Sequence, residues 1–195
     1  MKTMICMLLA ITSVQAFGEV RIFIEDFNGT AALKYQCTAD ETVRAFALDV
    51  TVDTGTITGI SAFHVGESTA QAKGYGIFPS SFRKTIEIDS ETGEVIDWTT
   101  PDYTPLADAN DCPDGTQLGL DSPGVTLEFG GLWVHDNLDA VPGPTGLLCL
   151  LTLSEPANVS VASNICRAGV VLAYPEIKSI RPVVTGAYVD PANRP

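Results

Sequence analysis

The sequence predicts an all-β protein, an antiparallel β-sandwich of jelly-roll type with about nine strands. Three observations predict it. Apolar and polar residues alternate with period two, helical periodicity is nearly absent, and turn residues recur roughly every 8–12 positions.

The strands follow in order. In "VRIFIED" (20–26), Val20, Ile22 and Ile24 share one face while Arg21 and Glu25 share the other. In "TAALKYQC" (30–37), Ala31, Leu33, Tyr35 and Cys37 align against Thr30, Lys34 and Gln36. Between them Asn28-Gly29 is the dipeptide of a tight hairpin turn with positive φ, so the two strands are expected as an antiparallel pair. "VRAFALDVTVDTGTITGIS" then puts Phe46, Leu48, Val50 and Val52 toward a core. Its other face carries Asp49 and Asp53, expected in solvent about 13 Å apart at roughly 3.3 Å per residue. Thr54-Gly55 turns the chain and "TITGIS" (56–61) returns, with Gly59 marking a bulge or a close backbone approach. "KTIEIDSETGEVIDW" (84–98) reads as a further hairpin, Ile86 and Ile88 against Val95 and its neighbours.

Residues 99–123 hold Pro, Asp, Gly and Asn without sustained period, and they form a long loop. Strands resume with "VTLEFGGLWV" (125–134), pause at "PGPTG" (142–146), and continue through "LLCLLTLS" (147–154), "NVSVAS" (158–163) and "AGVVLA" (168–173). "LLCLLTLS" is apolar on both faces, the mark of a strand buried in the middle of a two-layer structure. "IRPVVTGAYV" adds a last strand, and the tail "DPANRP" (190–195) reads as a linker.

Export is written at the start of the chain. Lys2, an uncharged run from Met4 to Val14, and small residues at Val14 and Ala16 match a signal peptide over 1–16, with Gly18 as a second cleavage position. That run is too short to span a bilayer, which needs about 20 apolar residues. Residues 17–189 are then one domain, large enough to bury a full core. Lysine and arginine number 11 against 24 acids, for a formal charge of −13, which disfavours nucleic acid as a partner because phosphates are repelled. Cys37, Cys112, Cys149 and Cys166 remain after cleavage, and an oxidising compartment makes two disulfides the expectation. Four cysteines allow three pairings, and spacing does not choose among them.

The blocks "RAFALDVTVDTGTITGIS", "GLLCLLTLS" and "NVSVASNICRAGVVL" follow one another as they do in cohesin-like sandwiches and related secreted bacterial proteins, which often carry a C-terminal dockerin. As a pattern of strands, the chain resembles that family over most of 17–189. The resemblance implies a nine-stranded flattened jelly roll close to several cellulose-binding modules. It further implies a sheet face that binds a dockerin, or a planar aromatic row that binds polysaccharide. The four cysteines and the 99–123 insertion depart from the cohesin pattern, and no dockerin-contact motif maps onto these residues.

Candidate ligand residues are few. Trp98, Tyr103 and Trp133 are the aromatics whose flat faces suit the C–H face of a sugar ring, with packing in the sandwich as the competing role. Asp108, Asp111 and Asp114 crowd one loop, where carboxylates and carbonyls suit a hard cation such as calcium; a polar turn is the simpler account. "NDCPDGTQLGLD" (110–121) follows an EF-hand outline but has Cys112 at position 3 and Asp121 at position 12. His64 and His135 are the only histidines, and no nucleophile elbow accompanies them. The expected function is therefore a secreted, non-catalytic binding module for a protein module or an extracellular polysaccharide. Its rivals are a structural subunit of a surface layer, filament or matrix, joined through self-association, and a glycan-active enzyme.

Overall fold

In the computed structural model the described residues are 19–38, 40–63, 68–77, 86–88, 95–98, 120–131, 133, 138–164 and 169–195. They form β1 (Arg21–Phe27), β2 (Thr30–Gln36), β3 (Thr42–Val52), β4 (Ile57–Ser61), β5 (Gly76–Ile77), β6 (Ile86–Ile88) and β7 (Val95–Trp98). β8 (Gly124–Gly130), β9 (Thr145–Leu153), β10 (Ala157–Ser163), β11 (Val170–Tyr174), β12 (Lys178–Ile180), β13 (Val183–Thr185) and β14 (Ala187–Val189) follow.

Two mostly antiparallel sheets face each other as a β-sandwich. One runs β13-β1-β2-β9-β4. The other is built on β3, which pairs with β8 along one side and with β10 and β11 along the other. Beyond these lie β5, next to β8, and β14 and β12, next to β10 and β11. β6 and β7 form a separate ribbon, with Ile86 opposite Trp98 and Ile88 opposite Val95, the hairpin read from the sequence.

Alternation places the core as expected. Ile22, Leu33, Phe46, Leu48, Phe129 and Leu151 are all at most 1% exposed, and each such side chain contributes about 1.5–3 kcal/mol on burial. Tyr35, Phe46 and Tyr75 pack as an aromatic trio with centroids 4.9–5.2 Å apart. Both buried hydroxyls are satisfied: Tyr35 donates to the Gly143 carbonyl at 2.6 Å and Tyr75 to that of Val43 at 2.8 Å. β9 lies between β2 and β4, with Leu148, Cys149, Leu151 and Leu153 buried and Leu147 exposed.

The first hairpin turns at Asn28 and Gly29, with φ of 51° and 74°. Residues 190–195 do not trail away from it. Asp190 caps a short 3-10 turn at Pro191–Asn193, and Arg194 Nε donates to the Gly29 carbonyl at 3.2 Å. A Cβ on Gly29 would stand 2.8 Å from the Asp190 carbonyl, so the turn and the closing residues fit only without one.

Three local expectations are altered. The strand after Thr54-Gly55 does not pair back onto β3; β4 joins β9 in the opposite sheet, so the turn crosses the sandwich. Gly59 sits at the expected register shift. The stretch "IRPVVTGAYV" is a strand that changes sheets. β12 pairs with β11, β13 leaves for a parallel pairing with β1, and β14 returns to β10. Such breaks help make the strands fourteen among the described residues rather than about nine.

Candidate functional site

The solvent face expected on β3 is only half solvated. Asp53 is exposed and accepts from the backbone N–H and Nδ2 of Asn158 at 2.8 and 2.7 Å, and these bonds hold its carboxyl below the usual carboxylate range. Asp49 is partly buried. It accepts from Thr126 Oγ1 at 2.6 Å and from Asn164 Nδ2 at 3.1 Å. Thr126 is 2% exposed and Asn164 7%, and on the same face Glu128, opposite Ala47, is 8% exposed. Strand register brings these groups together: Asp49 faces Thr126 on β8 and Ala162 on β10. Asn164 arrives because β10 and β11 run along β3 as one interrupted strand. Ala47 stands between the two paired stretches, its N–H donating to the Gly169 carbonyl and its C=O accepting from Asn164 N–H. The result is a polar layer, hydrogen-bonded within itself, on the outward face of the central strand.

At the N-terminal end of β3, Arg44 lies over Trp133, its guanidinium carbon 4.4 Å from the ring centroid. Trp133 is 8% exposed, and a Cβ on Gly131 would stand 2.8 Å from it. Trp133 thus takes the packing role, with one ring face already occupied. Trp98 ends β7 and pairs with Ile86 through the backbone. Tyr103, Asp108, Asp111, Asp114, His64 and His135 lie outside the described residues, as do Cys112 and Cys166. Among the described residues no group of His, Cys, Asp and Glu could hold a metal ion.

Cys37 and Cys149 are buried thiols. Burial raises both above the ordinary thiol range, and the Glu41 carboxylate adds to the effect at Cys37. Cys149 pairs in register with Leu33, four residues before Cys37. At about 3.3 Å per residue that offset is roughly 13 Å, beyond the ~7 Å limit for a disulfide. Of the three pairings, the one joining Cys37 to Cys149 is therefore excluded.

At the sheet edge, where β13 leaves for β1, a groove of about 630 Å³ opens, lined by Ala162, Ser163, Ile180, Arg181, Pro182 and Val184. Nearby, Val183, Val184 and Tyr188 are 44%, 41% and 58% exposed. The Ser163 hydroxyl oxygen is buried without a hydrogen-bond partner.

Fold and surface together define an all-β sandwich with a buried polar layer on one sheet and an open, partly apolar edge. No family model matches the chain, and no curated protein matches its sequence. Among the described residues no helix is long and apolar enough to cross a membrane.

Proposed function

We propose that the chain is a secreted, non-catalytic binding module whose partner is a protein module of dockerin-like kind, met at the edge formed by β13 and β14. The observation that supports this reading is the exposure of Val183, Val184 and Tyr188 on that edge. Exposed apolar side chains beside a terminal strand are the usual ground for a protein contact. An extracellular polysaccharide is the second ligand class. It draws on Trp98 at the end of β7, whereas Trp133, under Arg44, offers no free stacking pair. A structural role, with copies joined in a layer or filament, draws on the uncharged β13 edge but works against a charge of −13 on every copy. Calcium at Asp108, Asp111 and Asp114 is the one cofactor the sequence suggests, against a plain polar turn, so the assay is run with and without it.

The test is a pull-down against insoluble polysaccharides beside a dockerin panel, with and without calcium. Capture by a dockerin, weakened by Val184→Asp, is the expected result. Retention on polysaccharide alone would replace the protein partner with a glycan. Capture by neither would leave the structural role ahead.

A further inference from the structure

The groove at the sheet edge has the backbone of an unfinished ladder. On β10, Asn158 accepts from Asp53 N–H and Asn164 donates to the Ala47 carbonyl, so the even-numbered residues turn toward β3. In an antiparallel strand alternate residues turn the other way. Val159 accordingly faces β14, where it pairs with Ala187. Continuing that register, Val161 and Ser163 would meet Thr185 and Val183. Those two residues pair instead with Phe23 and Arg21 on β1. By that alternation the N–H and C=O groups of Val161 and Ser163 turn away from β3 toward the side on which the groove opens, and Ala162 and Ser163 line it.

The opening is short and closed at both ends. On one side β14 is so close that a Cβ on Gly186 would lie 2.3 Å from the Val159 carbonyl oxygen. On the other, Ile180 pairs with Val170. A strand running through would have to displace β12 or β14, but the end of a chain fits. Arg181 lines the same groove. The other described arginines are engaged, Arg21 with Glu19, Arg44 with Trp133 and Arg194 with the Gly29 carbonyl. Arg181 alone among them presents its guanidinium fork free, a group shaped to hold a carboxylate through two parallel hydrogen bonds. Ile180 and Val184 flank it with apolar surface.

We propose that this opening binds the carboxylate end of an extended peptide, which adds two residues to the ladder at Val161 and Ser163 and places its terminal carboxylate on Arg181. The mode combines strand addition with capture of a chain terminus. A volume of about 630 Å³ is in the range of small-ligand sites, roughly 300–1,000 Å³. The proposal rests on the binding-module reading and narrows it to one kind of contact.

The experiment selects from random heptapeptides displayed with a free C-terminus, against the wild-type domain and Arg181→Glu. The selected peptides are then synthesised as acids and as amides. The expected result is enrichment on wild type only, with affinity falling at least about tenfold for the amide and for Arg181→Glu, and unchanged for Lys73→Glu. The amide protons of Val161 and Ser163 should exchange freely in the unbound domain and slow at least about tenfold under saturating peptide. Equal enrichment on both proteins, equal binding of acid and amide, or protection of both amides before peptide is added would overturn the proposal. Dockerin capture retained by Arg181→Glu would sink the groove while leaving the binding-module reading intact.

Discussion

Asp49 and Ser163 show how much one position depends on what covers it. Asp49 is the acceptor for Thr126 and Asn164, both nearly free of solvent contact. Asp49→Ala removes the acceptor that both of them bond in a nearly dry layer and should lower stability by about 1–3 kcal/mol, read from urea unfolding. Asp53→Ala, whose partner Asn158 is exposed, should cost far less in the same assay. Ser163 is the reverse case, because its hydroxyl is already buried without a partner. Ser163→Ala removes an unmet group, and the unfolding midpoint should stay level or rise; a clear fall would show that the hydroxyl is satisfied in solution. Tyr35 and Tyr75 carry a pH signature. Burial pushes Tyr35 up to about 12 and raises Tyr75 further, against an ordinary value of 10.0. Their neutral forms stabilise the fold fully below the unfolded value, and that contribution is lost as pH rises through the folded values. Stability should therefore fall from about pH 10 upward, and Tyr35→Phe should soften the fall in an alkaline denaturation series.

Among the elements, the strand that changes sheets decides the most. It leaves one sheet at Pro182 and returns through Gly186, which lies against the Val159 backbone. Gly186→Ala forces that return away from β10 and should destabilise by about 1–3 kcal/mol, as overpacking does, with a lower thermal midpoint. β2 and β9 give a second test. Their register sets Cys149 opposite Leu33, so non-reducing peptide mapping should find no Cys37–Cys149 link. Such a link would mean that the register has slipped. Strand faces were legible in the sequence because period two is local: Phe46, Leu48, Val50 and Val52 are all core. Strand partners were not. β4 pairs with β9, far along the chain, and nothing near Thr54-Gly55 encodes that choice. The polar layer at Asp49 was hidden for the same reason, since alternation reports which side a residue faces and not whether that side is covered.

For the whole molecule, charge and topology were separately determined. A formal charge of −13 follows from counting residues and makes the folded chain repel itself. Raising sodium chloride from about 0.01 to 0.5 M should screen that repulsion and lift the thermal midpoint by a few degrees, and a flat response would show the acids already neutralised by bound cations. By itself the sequence determined an all-β chain, its inward and outward faces, the Asn28-Gly29 hairpin and the β6–β7 ribbon. Each of these depends on residues only a few positions apart. Tertiary structure alone decided that the last strand would stitch both sheets together, that residues 190–195 would dock on the first turn, and that Arg181 would stand beside an open edge of β10. Those outcomes join segments many residues apart in the chain. They are selected by packing and by the pairing of backbone groups, which no local pattern records.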